Sequence, residues 1–349
     1  MKKNTRRHLS NTKLYGFTLI EMLISISILV VALGIIFALY NTQLRHSSIQ
    51  SKIAETELEL IGSLSLLKRD IFEAGFGLPQ EIKPVDGINS SNSYDTLILR
   101  GSILQLNKTG EAYSYLVSNP VNLNQIKIRK WDEGTENILE NYWVIFIDPF
   151  TKSIISNNNA VNSLYRVQSY SDSIENGTPV RTLTISQSLD DGLGNNILFE
   201  GVLVYSLSNK TQPPSQIYSE IHYYLSQSDS DASCAPGTYD LIREEKYSDG
   251  GIQTILSCVA DFQISYGFKN LQDEIEWKND ISAYSSEDIR ENLKLLRVNL
   301  LFQVGKKDYK FSYPNNSETL EDHKYSFASG QKNYRWRTIK IELKPRNFL

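Results

Sequence analysis

Two cysteines, two methionines and four histidines in 349 residues leave little material for metal or redox chemistry. The histidines stand far apart at positions 8, 46, 222 and 323, and there is no C-x-x-C, so the pattern offers no zinc-type ligand set. The familiar catalytic signatures are missing as well: there is no G-x-S-x-G elbow, no H-E-x-x-H and no glycine-rich phosphate loop. Carboxylate pairs do occur, at Asp190-Asp191 and Glu244-Glu245, but adjacent acids on a strand or turn point apart and are usually solvated. Asp229-Ser230-Asp231 and Asp190-Asp191-Gly192 lack the further oxygen ligands, at fixed spacing, of an EF-hand calcium loop. The expectation is a chain with no cofactor, no metal and no enzymatic activity. A membrane-anchored periplasmic enzyme is the weakest reading carried forward.

Basic charge is also in short supply. The net charge is −4, and it is unevenly spread. Lys2, Lys3, Arg6, Arg7 and Lys13 give the first 16 residues five cations and no acid, leaving 31 of the 36 basic residues against all 40 acids, or −9, in the rest. That balance excludes a basic nucleic-acid face. The asymmetry holds the first residues in the cytoplasm and sends the rest of the chain across a membrane.

The last shortage is of helix breakers: no proline falls between Asn41 and Ala74. Before that stretch comes an apolar run from Phe17 to Tyr40, 24 residues long, with one carboxylate, Glu21, near its start. About 20 apolar residues span a bilayer. A secretory signal has a shorter apolar core with a small-residue cleavage site after it. Here the only such trio, Ala32-Leu33-Gly34, lies inside the run. An acid in hydrocarbon costs about 2.5–3.5 kcal/mol on insertion scales, so Glu21 requires a partner or a task. After the run, Ile49, Ile53, Leu60, Leu64, Leu67 and Ile71 mark one face of an amphipathic helix, and Lys52, Glu55, Glu57, Glu59, Lys68 and Asp70 fall on the others. The two halves predict one helix from Phe17 to Ala74, 58 residues and about 87 Å long. Gly75, Gly77 and Pro79 end it, and Gly34 and Gly62 are its weak points.

The remainder reads as strands. Thr96–Leu99, Asn124–Arg129, Trp143–Ile147, Arg181–Ser186, Leu198–Tyr205 and Ile217–Leu225 alternate or are rich in β-branched and aromatic residues. Tyr239–Arg243, Val259–Tyr266, Leu295–Gln303 and Arg337–Leu343 continue the series, and stretches at 89–93, 156–163 and 226–233 read as exposed loops. A long N-terminal helix packed on an antiparallel, sheet-rich head is an α+β arrangement. Cys234 and Cys258, in an exported chain, read as a disulfide closing a loop of about 25 residues and contributing about 3 kcal/mol. Two separate buried thiols are the alternative.

The opening Gly16-Phe17-Thr18-Leu19-Ile20-Glu21 resembles the N-terminus of type IV prepilins and pseudopilins. The resemblance implies that prepilin peptidase cuts after Gly16, that Phe17 becomes the methylated N-terminus, and that Glu21 pairs with the amine of a neighbouring subunit. The physical logic holds, because an amine and a carboxylate buried together cost far less than either alone. Many pilins carry a helix-loosening proline where Ala38 stands here, which puts local melting in doubt.

Within that group, SLLKRDIFEAGFGLP (65–79) resembles the end of the first helix in PilW-like minor pilins. SYDTLILRG, IHYYL followed by YDLIREE, VADFQISYGF, LKLLRVNLLFQ and the terminal YRWRTIKIELKPRNFL are looser echoes in the same order, while the middle, roughly 102–215, fits no part of the pattern and reads as diverged or as inserted loops. The J-type pseudopilin of type II secretion shares the leader, a large head and an Arg-Asp pair late in the helix. The Ala-Gly-Phe-Gly step and the Pro-Arg-Asn-Phe ending favour the PilW-like family. The implied organisation is a leader (1–16), a transmembrane and filament-core half-helix (17–40), an amphipathic half-helix (41–75) and a β-rich periplasmic or extracellular head (76–349). The implied partners are prepilin peptidase, other minor pilins, the major pilin, the inner membrane and an adhesin at the tip.

Overall fold

A computed structural model describes residues 18–90, 93–101, 112–120, 122–132, 137–155, 164–191, 193–208, 218–227, 233–246 and 251–348. The helix α1 (Leu19–Glu73) runs 55 residues without a break, through both Gly34 and Gly62. With no neighbour to meet at either glycine, each costs only its propensity, about 1 kcal/mol, which the flanking residues absorb. Met1–Lys52 and Ile53–Leu349 form separate compact units.

In the first unit the apolar side chains from Leu19 to Tyr40 are all exposed. The helix is long and apolar enough to cross a membrane. Three of its hydroxyls are spent on the helix itself: Ser25, Ser27 and Thr42 donate to the carbonyls of Glu21, Leu23 and Ala38 at 2.7, 2.8 and 2.9 Å. Such back-bonding hides a polar group that hydrocarbon would otherwise penalise.

The second unit is built in chain order. β1 (Val85–Ile88) and β2 (Thr96–Gly101) come first. Seven strands then form a sheet of their own: β3 (Tyr113–Tyr115), β4 (Gln125–Arg129), β5 (Trp143–Ile147), β6 (Ile154–Ile155), β7 (Tyr165–Glu175), β8 (Thr178–Ile185) and β9 (Leu203–Ser208). The chain returns as β10 (Ser219–Ser226), β11 (Tyr239–Lys246), β12 (Ile252–Lys269), β13 (Ile275–Lys278), the short helix α2 (Ser286–Asn292) and β14 (Leu293–Val304). The hairpin of β15 (Ser317–Leu320) and β16 (His323–Ser326) precedes the last strand, β17 (Arg335–Leu343).

The principal sheet is antiparallel, in the order β1-β2-β10-β11-β12-β14-β17, with β13 also pairing β12. The head-side turns of α1 lie on it, burying Leu60, Leu67 and Ile71 against Val85, Tyr223, Phe262, Ile264 and Leu300. Alternation along β12 explains the two faces. Phe262, Ile264 and Tyr266 point toward the helix, and Asp261, Gln263 and Ser265, equally buried, point away from it.

The stretch that fits no part of the family pattern is the second sheet. It is inserted between β2 and β10, which are direct neighbours in the first. Its order is β3-β9-β5-β7-β8-β4, with β6 beside β5. The outer strands β3 and β4 meet through a Leu116–Ile128 bridge, a bond from the Val117 N–H to the Lys127 carbonyl at 2.9 Å, and one from Ser114 Oγ to the Arg129 carbonyl at 2.6 Å. The sheet thus closes on itself around Ile126, Val144, Phe146, Tyr165, Leu183 and Val204. Closure removes exposed sheet edges. Asn176 and Gly177, both at positive φ (49° and 78°), make the tight β7–β8 turn that a right-twisted hairpin requires.

Two sequence expectations need correction. A strand over Leu198–Tyr205 begins only at Leu203, because Phe199–Val202 form a turn through Gly201 at φ 91°. Of the expected exposed loop at 89–93, Asn89, Ser90 and Ser93 are half-buried, held by Asp322, Asp95 and Gln263 respectively.

Candidate functional site

Gly16 and Phe17 lie outside the described residues, so the structure begins one residue past the expected cut. Thr18 and Glu21 form a capping box. Glu21 Oε2 accepts from the Thr18 N–H at 2.8 Å and from the Thr18 hydroxyl at 2.9 Å, while the Glu21 N–H donates back to that hydroxyl at 3.3 Å. A Thr three residues before a Glu at the head of an apolar run is the sequence signature of this cap. The signal is local and legible, yet it is not among the expectations above. The carboxylate therefore has local partners within one subunit, which lowers the cost of placing it beside hydrocarbon.

At the other end of α1 the Arg-Asp pair divides its roles. Arg69 is part-exposed and binds Asp70 and Glu73. Asp70, expected on the polar faces of α1, is instead fully buried, because its Oδ2 accepts from Arg243 Nε at 2.6 Å and from the Tyr223 hydroxyl at 2.6 Å. Arg243 is buried too and reaches Glu245 with Nη1 at 2.5 Å. These partners hold the guanidinium charged and push its pKa up, against the burial that opposes them. Burial and the neighbouring Asp70 push the Tyr223 phenol well above its usual range, so it stays a donor. Asp70 is one of three polar residues on the buried face of α1, with Thr56 and Ser63, spaced seven apart. Ser63 Oγ donates to the Ile255 carbonyl.

The helix ends where the family echo places its Ala-Gly-Phe-Gly step, and the end is built from the chain terminus. Asn347 Nδ2 donates to the Phe72 carbonyl at 2.7 Å, satisfying one of the last helical carbonyls. Gly75 sits at φ 84°, and a Cβ there would lie 2.5 Å from the Asn347 carbonyl oxygen. Arg346 covers the Phe72 ring at 4.7 Å, and Phe348 is buried. Phe76 leaves the turn to pack edge-on against Tyr113 and Tyr205 of the inserted sheet, at 6.0 and 5.9 Å. The Ala-Gly-Phe-Gly and Pro-Arg-Asn-Phe motifs, about 270 residues apart, are thus one joint, although in the sequence they stand as separate echoes.

Cys234 and Cys258 form a disulfide. It ties the approach to β11 to a bulged position of β12, where Cys258 adopts φ 57°. The carboxylate pairs are absorbed by local structure. Asp191 accepts from the Leu193 and Asn195 N–H groups and from Asn195 Nδ2, and the last of these chiefly holds its pKa low. Glu245 meets Arg243, and Glu244 meets Lys246 at 2.5 Å. Asp229-Ser230-Asp231 lies outside the described residues. Among the described residues no group of three acids, cysteines or histidines could hold a metal ion.

Residues 13–37 match the family described as the prokaryotic N-terminal methylation motif. No curated protein and no solved structure matches the chain. The motif, the apolar helix that carries it and the antiparallel head together support a type IV pilin- or pseudopilin-like protein. The motif implies processing by prepilin peptidase and association with a membrane and pilus components through a single helix.

Proposed function

We propose that the chain is a PilW-like minor pilin, which primes or takes part in type IV pilus assembly and catalyses no reaction. In this reading the leader is removed after Gly16 and Phe17 is methylated. The helix holds the subunit in the inner membrane, with its head in the periplasm, until extraction into the pilus. Glu21 then exchanges its intramolecular bonds with Thr18 for the Phe17 amine of a neighbour. The head contacts other minor pilins, the major pilin and a tip adhesin.

The observation that carries the reading beyond the N-terminal motif is the joint at Gly75. The two sequence features that favour PilW-like over J-type meet there, through Asn347, Phe72 and Gly75. The J-type pseudopilin remains the second reading, because the Arg69-Asp70 pair that docks α1 is a feature both families share. Deletion in the native organism separates the two. A PilW-like role requires loss of surface filaments with exoprotein secretion intact. Normal filaments with failed secretion would overturn it in favour of the pseudopilus.

A further inference from the structure

The head pairs its arginines with care. Arg69, Arg100, Arg181, Arg243, Arg297 and Arg335 each meet a carboxylate. Arg290 and Arg346 meet none, and together with Lys152 they line a cleft of about 210 Å³ beside the Gly75–Leu78 turn. Among the described residues no acid lines it. Arg290 is 7% exposed, and all its acceptors are neutral: the carbonyls of Pro79 (2.9 Å) and Ile82 (3.1 Å) and the Ser286 hydroxyl (3.4 Å). These bonds use Nε and Nη2 and leave Nη1 unbonded. Burial outweighs the nearby Glu81 and pushes the guanidinium pKa down. Arg346 rests on the Phe72 ring, and Lys152 is exposed. A buried cation with no carboxylate bonded to it is costly, and here two more line the same cleft.

The rest of the lining selects the kind of anion. Phe76, Leu78 and Tyr205 give the cleft apolar walls, and its volume suits one side chain rather than a folded segment. A phosphate cradle needs free backbone N–H groups. Those of Gly75, Phe76 and Leu78 are already bonded to the carbonyls of Arg100, Glu73 and Gly75. Arginine forks suit a carboxylate as well as a phosphate, and the apolar walls with these N–H groups already bonded favour the carboxylate. We propose that this cleft receives the carboxylate of an apolar carboxyl-terminal residue from a partner polypeptide, with Lys152, Arg290 and Arg346 holding the anion. The inference is independent of the choice between pilus and pseudopilus.

The test uses the full chain in detergent and an N-terminally labelled Gly-Ser-Gly-Phe peptide, as free acid and as C-terminal amide, followed by fluorescence anisotropy. The acid should bind saturably, and the amide about tenfold more weakly or less, as loss of a charge-assisted pair requires. Lys152→Glu, at an exposed unpaired residue, should weaken the acid by about tenfold or more with the melting temperature unchanged. Combining Lys152→Gln with Arg346→Gln should act in the same direction. Failure of the acid to bind, equal binding of acid and amide, or full displacement by millimolar inorganic phosphate would each overturn the proposal.

Discussion

Asp70, in the last turn of α1, and Arg243, in the middle of β11, form an ion pair in which neither side chain touches solvent, with Nε 2.6 Å from Oδ2. A charge pair in such a place survives only when every remaining donor and acceptor is answered. Here Tyr223, Arg69 and Glu245 supply the answers. Together they fix α1 on the sheet at one rotation and one height, which apolar packing alone would define less sharply. Asp70→Ala should therefore destabilise the head by about 3 kcal/mol, because it takes one of two carboxylates from a buried guanidinium and leaves its Nε and the Tyr223 hydroxyl without an acceptor. Denaturant unfolding of the purified chain measures this, and a loss below about 1 kcal/mol would mean that the pair contributes little.

The joint at the helix end makes a second prediction. Gly75→Ala combines a left-handed backbone with a Cβ 2.5 Å from the Asn347 carbonyl oxygen. The backbone cost alone is about 1–2 kcal/mol, and the close contact adds to it. Asn347→Ala should cost about 1 kcal/mol through the lost bond to the Phe72 carbonyl. Because the two sites touch, the double variant should lose less than the sum of the single ones. Strict additivity would show that the tail does not cap the helix.

A third prediction concerns pH. Asp95 is 2% exposed, and burial pushes its carboxyl up to about 6, with Asp322 and Asp261 adding to the rise and bonds from the Ser90 and Ile264 N–H groups opposing it. An unfolded aspartate titrates near 3.9. The folded state therefore holds this proton longer, and the stability it lends is complete below about pH 4 and lost as pH rises through 6. Unfolding free energy should rise by about 1 kcal/mol when pH falls from 7 to 5. Asp172, held at about 2 chiefly by Arg181, does not interfere until far lower pH. Asp95→Asn should flatten the slope between pH 5 and 7, and an unchanged slope would exclude Asp95 as its source.

The disulfide supplies a fourth. Cys234 and Cys258 are 24 residues apart in sequence, so loop-closure entropy predicts a loss of about 3 kcal/mol on reduction. Denaturation with and without a thiol reductant reads this directly. Identical midpoints would show that the link adds nothing.

Features written in neighbouring residues were legible in the sequence, and features made by distant partners were not. The apolar run, the prolineless stretch and the Leu60–Leu67–Ile71 stripe predicted α1 to within two residues at either end, because helical periodicity is a local signal. Thr56 and Ser63 lie on the buried face and escaped notice, and Asp70 was expected on the polar faces, since apolar spacing does not reveal polar side chains answered by distant partners. Strands such as Trp143–Ile147 were plain from their composition. The closed second sheet was not, because β3 and β6 are too short to show alternation and closure depends on the Leu116–Ile128 contact. The short helix α2 was missed although Ser285 and Asp288 spell its capping box.

The N-terminal segment permits a sharper dissection than removal of the acid. A capping box accepts Gln in place of Glu. Glu21→Gln should thus keep the bonds to Thr18 and the start of α1 while losing the charge. Glu21→Ala loses both. The account expects both variants to be processed and both to be scarce in sheared filaments. Wild-type incorporation of Glu21→Gln would mean that the residue serves the helix cap and not the subunit pairing.

The most direct test of the central claim is mass spectrometry of the chain recovered from sheared surface filaments. The account predicts a mature protein whose first peptide begins with N-methylated Phe17, with Gly16 and the residues before it absent. Recovery only of a chain that retains Gly16, or a mature N-terminus elsewhere, would contradict it.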